Sequence, residues 1–256
     1  MLSMDRRRAF GLWLLIAMIA YLLLYINDIS YVFMDARGDA LATFSMSGAT
    51  GMVTYIMPLF AALPFATGFC ADWSSGYTGV AVMRAGKRKY LMSKILACAL
   101  SGGVATAGGT LLLIALLVLK FPHTEEVILN FIDVGEFYDI LALEGTMGLI
   151  LFYAGVVLVQ FLAGSFWAMT GLAFSAFCPN FLLTLCIPLA AYRLCLELYY
   201  WIEFPLWLCP PLLQDLMVGL SYGPTLLTAA GVFIGLDVLL GFVFAWRAGR
   251  RLRYAQ

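Results

Sequence analysis

The chain has 256 residues, 63% of them hydrophobic and only 12% charged, with one histidine, six cysteines and a formal net charge of zero. Soluble domains carry roughly a quarter charged residues, so an ordinary soluble globule is excluded and an all-α integral membrane protein is expected. Cys70, Cys98, Cys178, Cys186, Cys195 and Cys209 form no CxxC pair and no Cys/His spacing of a zinc site. They read as small apolar packing residues.

A head carrying Arg6, Arg7 and Arg8 precedes an unbroken apolar run over residues 10–26. That run suits a bilayer core needing about 20 residues. Head and run have the outline of a secretory signal, yet no small-x-small cleavage site follows within residues 25–34, so an uncleaved first span is expected. A polar connection with Asp28, Asp35, Arg37 and Asp39 leads to a second span over residues 50–69. Pro58 and Pro64 interrupt it and predict a kinked helix, tolerated where neighbours re-satisfy the freed carbonyls.

The longest polar, basic segment comes next, over residues 70–79 and on through Arg84, Lys87, Arg88, Lys89 and Lys94. It lies between two hydrophobic runs, hence at one membrane face, and its five Lys and Arg argue for the cytoplasmic one. Trp73, Tyr77 and Val80 or Ala81 recur at three- and four-residue spacing, which predicts an amphipathic surface helix over the first half. Such a helix with a basic arm docks onto a soluble protein or rests on anionic lipid. The choice between the two decides the function.

Residues 95–119 form a third span whose first half is rich in small residues, among them Gly102, Gly103, Gly108 and Gly109. Small residues let helix backbones approach, so this face is expected to pack mainly within the chain. Residues 120–145 are acidic (Glu125, Glu126, Asp133, Glu136, Asp139 and Glu144 against Lys120), with apolar positions suggesting a short amphipathic helix on the outer surface. His123, beside Pro122, reads as a solvated loop residue. Residues 146–192 hold no charge, and Cys178-Pro179-Asn180 divides them into spans over residues 147–173 and 181–201 joined by a tight turn. Residues 204–224, broken by Pro205, Pro210, Pro211 and Gly223, read as one or two short interfacial helices dipping into the outer leaflet. The last span covers residues 226–246, and Arg247, Arg250, Arg251 and Arg253 close the chain.

Six spans in a single membrane domain, residues 1–256, put both ends on one side. That side carries twelve Lys and Arg against two, Arg37 and Lys120, on the other, so both termini are expected to be cytoplasmic. Arg193, Glu197 and Asp237 fall within spans, where an ionisable group faces a protein interior or a wet cavity. Arg193 is twelve residues and Asp237 nine from the inner ends of their spans. These offsets correspond to roughly 18 and 14 Å, close enough for a bridge. Glu197, one turn above Arg193, is a second partner for it. A polar element of a transport path or subunit interface, and a clamp between helices, both fit these three residues.

No catalytic constellation is present. Glu125-Glu126 lacks the partners of an intramembrane protease motif. Gly86-Lys87 has the end of a phosphate loop, but Ala81 and Arg88 stand where that loop needs Gly and Ser or Thr. The chain is therefore expected to be a non-catalytic subunit without a nucleotide site of its own.

Two spans, then an acidic residue, a Gly and a basic arm ending in Tyr-Leu-x-x-Lys, resemble the permease subunits of ABC-2 type exporters. The residues carrying the resemblance are Phe69, Asp72, Gly76, Arg84, Tyr90 and Lys94, with the six-span layout and the broken segment before the last span. Asp72 stands where that family more often has Glu. The resemblance implies a coupling helix over residues 72–82, seated through Asp72, Trp73, Gly76, Tyr77, Arg84, Lys87 and Arg88 in a groove of a separate cytoplasmic ATPase that holds the ATP and Mg. It further implies a second permease copy, identical or not, met mainly through the first and fifth spans, with Arg193 and Glu197 near the meeting plane. The expected activity is ATP-driven export of a lipophilic or amphipathic solute across the cell membrane, with lipid but no nucleic acid as a further partner. The alternative is an ATP-independent secondary transporter or an assembly scaffold. The lack of an inverted repeat with paired broken helices disfavours the former.

Overall fold

The computed structural model describes residue 5 and residues 8–32, 52–120, 146–202, 205, 208–214 and 222–254. Arg6, Arg7, residues 33–51 of the first polar connection, residues 121–145 with His123 and Glu125-Glu126, and most of residues 203–221 lie outside the described residues. What is described is helix and turn, without a strand. The helices are α1 (Leu12–Val32), α2 (Met52–Ala62), α3 (Gly68–Ser74), α4 (Tyr77–Ala85), α5 (Lys87–Lys120), α6 (Thr146–Ser175), α7 (Phe181–Ile202), α8 (Pro210–Gln214) and α9 (Tyr222–Tyr254). Four of them, α5, α6, α7 and α9, are long and apolar enough to cross a membrane, and α1 and α2 supply shorter apolar helices over Leu12–Asp28 and Val53–Ala62.

The kink expected in the second span is a full break. Pro58 is accommodated inside α2, but the helix stops at Ala62 and the chain turns through residues 63–67 before α3 begins. Pro64, with no N–H to give a helix, lies in that turn. The basic arm, in contrast, is not a separate segment. Arg84 closes α4 and, after Gly86, Lys87 through Lys94 form the first two turns of α5, whose 34 residues span about 51 Å at 1.5 Å per residue. A bilayer core is only about 30 Å thick, so the charged turns extend beyond it. The turn at Cys178-Pro179-Asn180 is capped as its sequence suggests: Asn180 Oδ1 accepts the N–H of Leu182 (3.0 Å) and of Leu183 (3.4 Å) at the start of α7.

α6 is the central helix and packs on α5, α9, α7 and α2. Its crossing with α5 explains the small residues of that span. A Cβ at Gly102 would lie 2.7 Å from the Gly164 carbonyl oxygen, and one at Gly103 would lie 2.7 Å from the Phe161 ring. Thr106 Oγ1 closes the seam by donating to the Gln160 carbonyl at 2.8 Å. Gly108 and Gly109 turn the same surface toward Met18 and Tyr21 of α1. The seam is intramolecular.

The buried side chains form two main clusters. One gathers Tyr21, Met57, Trp167, Tyr192, Leu213 and Phe233. The other gathers Phe65, Phe69, Tyr90, Cys98, Met169 and Phe244. α8 belongs to the first cluster and is no surface helix: Trp167 Nε1 donates to Gln214 Oε1 at 3.1 Å, and Leu213 is fully buried. The short helix reaches into the bundle, where the paired side chains satisfy one another.

Candidate functional site

Several contacts bring the start of α1, helices α3 and α4, the start of α5 and the ends of α6 and α9 to one end of the bundle. Arg8 meets Asp72, Lys87 Nζ donates to the Gly249 carbonyl, and Arg251 donates to the Phe177 carbonyl. Arg251 also lies 5.6 Å from the Trp73 ring centroid. Head, basic segment and tail, grouped by charge in the sequence, are thus grouped in space.

Inside this end sits a closed charge cluster. Lys94 has a wholly buried side chain (0% exposed) whose Nζ lies 2.7 Å from Asp72 Oδ2 and 2.9 Å from Asp5 Oδ1. Tyr90 OH donates to Asp72 Oδ2 at 3.2 Å, and Ser93 Oγ donates to Asp5. Arg8 Nη1 completes it from the rim, 2.9 Å from Asp72 Oδ1. Two carboxylates face two cations, so the cluster is neutral, and the Phe65 ring, 5.0 Å from Lys94 Nζ, covers it. Buried charges are tolerated when paired and hydrogen-bonded in this way. The effect is mechanical: α3 is fixed at once to the segment before α1, through Asp5 and Arg8, and to the first turns of α5.

The coupling helix expected over residues 72–82 is two helices, α3 and α4, divided at Ser75 and Gly76. Ser75 gives its N–H (3.2 Å) and its hydroxyl (2.8 Å) to the Ala71 carbonyl, ending α3. Gly76 then takes φ 68°, the left-handed region that favours glycine. A Cβ there would meet nothing within 4 Å, so Gly76 serves the turn and not a close approach of backbones.

The residues singled out in this stretch divide into two sets. Asp72 is buried in the charge cluster. Trp73 and Tyr77 are half-buried against the second core cluster, Trp73 with its ring centroid 6.0 Å from that of Phe69. These three face inward. Outward face Ser74, Ser75, Gly79, Val80, Met83, Arg84 and Arg88, with Met83 the most exposed apolar side chain at 76%. Lys87 is engaged with Gly249. Cys70, on α3, packs as an apolar residue: burial pushes its thiol up from the ordinary value, and Thr184 Oγ1 lies 3.2 Å away.

The intramembrane residues pair differently from the match of depths. Arg193 Nη2 lies 2.7 Å from Glu197 Oε1, one turn along α7, with side chains 65% and 44% exposed. Asp237 accepts instead from Ser165 Oγ of α6 at 2.7 Å, and its Oδ1 is buried without a partner among the described residues. Rise per residue fixes height, but azimuth around the helix decides which groups meet. Asp5, Arg8 and Ser93 were not legible as site residues, because their partners lie 64 to 89 positions away. The chain matches no family model, no curated protein and no solved structure.

Proposed function

We propose that this chain is the membrane-spanning permease subunit of an ATP-driven exporter of the ABC-2 type, crossing the cell membrane six times with both termini in the cytoplasm. One observation carries the reading: the α3–α4 pair presents an exposed rim (Val80, Met83, Arg84) while its inner side is locked by Asp72 to Lys94 and Arg8. A surface element held so firmly to two long helices suits the transmission of force. In this reading a cytoplasmic ATPase, which binds the ATP and Mg, seats the rim of α4 in a groove. Closure of two such ATPases pushes α3–α4, and α1 and α5 tilt with it in an alternating-access motion. The cargo is a lipophilic or amphipathic solute such as a peptide, lipid or antibiotic.

The pair Arg193–Glu197 supports a second permease copy. An exposed ion pair partway along an apolar helix is costly against hydrocarbon. A facing copy that covers α7 and the exposed Leu12, Trp13 and Leu15 of α1 removes that cost.

Co-expression with soluble phosphate-loop proteins encoded beside it, followed by purification through a tag on this chain, tests the proposal. A stoichiometric ATPase in the eluate is expected. Its absence in lipid as well as in detergent would leave the ATP-independent transporter or the scaffold.

A further inference from the structure

The last turns of α9 carry Arg247, Arg250 and Arg251 at three- and four-residue spacing, on one side of the helix. Each guanidinium lies over an aromatic ring: Arg247 5.2 Å from the Phe177 centroid, Arg250 4.2 Å from Trp246, Arg251 5.6 Å from Trp73. Stacking fixes the planes and leaves the N–H edges free to donate. Arg251 gives one of those donors to the Phe177 carbonyl. Arg247 has a buried Nε–H without an acceptor among the described residues. The described carboxylates at this end, Asp5 and Asp72, are committed to Lys94 and Arg8. No described acid of the bundle end therefore answers the arginines of α9.

We propose that Arg247 and Arg250 hold the phosphate of an anionic phospholipid headgroup beside the turn between α6 and α7. Phosphate oxygens match the planar, multi-donor guanidinium edge. The position favours lipid over a soluble anion. Trp246, 47% exposed, ends the apolar run of α9 directly before the arginines, where a tryptophan marks the level of the headgroups. Basic clusters immediately beyond a membrane helix attract anionic lipid, but that attraction is diffuse. Here the guanidinium planes of Arg247 and Arg250, pre-stacked on Phe177 and Trp246, single out a site.

Native mass spectrometry of the full chain in nonionic detergent micelles doped with phosphatidylglycerol or phosphatidylcholine reads this directly. Wild type is expected to retain one phosphatidylglycerol at high salt, with phosphatidylcholine held at least tenfold less. Arg250→Gln, at an exposed position, should abolish that adduct while keeping the same elution volume, and Arg250→Lys should weaken it. Arg247→Gln is the second variant, should either fail to fold. Arg88→Gln, an equally basic and exposed change at the same end, should leave the adduct intact. Equal loss in Arg88→Gln and Arg250→Gln, equal retention of both lipids, or displacement by millimolar inorganic phosphate would each overturn the proposal.

Discussion

Lys94 is the residue on which the basic end turns. A cation with no exposed surface is held by two carboxylates, and removing it strands Asp5 without a counter-charge and leaves Asp72 with Arg8 alone. Lys94→Met is expected to cost about 3–5 kcal/mol, the range for breaking a buried pair from one side. The double change Lys94→Met with Asp5→Asn should recover part of that loss, since it removes the stranded charge along with its partner. Thermal unfolding of the detergent-solubilised protein measures both, and simple additivity would show that the two residues act separately. Arg8, with its side chain half exposed, should matter far less, by about 1 kcal/mol at most. In the sequence Asp72, Tyr90 and Lys94 are legible as a polar pattern at one membrane face. Their closure into one cluster is not, because Asp5 arrives from 89 positions away. Gly76 shows the same limit: its presence in the stretch is plain, but only the backbone reveals the positive φ that requires it.

At the scale of elements, periodicity and composition work where a helix face is long and fail where a segment is short. The small-residue face of α5 runs over two turns, and its expected packing within the chain corresponds to the Gly102–Gly164 crossing. That crossing has no room for a side chain. Gly164→Val should destabilise by about 1–3 kcal/mol, the usual penalty of overpacking, and lower the yield of monodisperse protein. An unchanged unfolding temperature would mean that the helices separate freely. The amphipathic period over residues 72–82 predicts one helix because Trp73, Tyr77 and Ala81 repeat correctly across Ser75 and Gly76. A single left-handed residue breaks the helix without breaking the pattern. Likewise the prolines around α8 mark an interruption but say nothing of depth, which is set by Leu213 filling the core and Gln214 answering Trp167.

At the scale of the whole molecule, the contrast is between an apolar body and one basic end. Charge counting groups the head, the basic segment and the tail, and the contacts of Arg8, Lys87 and Arg251 group the same segments in space. Matched depths do not identify partners in the interior, as Arg193 with Glu197 and Asp237 with Ser165 make clear. In the proposed mechanism, force passes from the exposed rim of α4 through the charge cluster to α1 and α5. Trp73 and Tyr77 face inward, so in the proposed complex an ATPase would grip Val80 and Met83. The direct measurement is solute-stimulated ATP hydrolysis by the proposed complex of this chain with an ATPase in lipid, comparing wild type with Met83→Arg. Val80→Arg gives a second reading of the same rim. Both variants should insert and keep the wild-type unfolding temperature while losing the stimulated hydrolysis and releasing the ATPase. Undiminished ATPase recovery and hydrolysis in both variants would contradict coupling through α4.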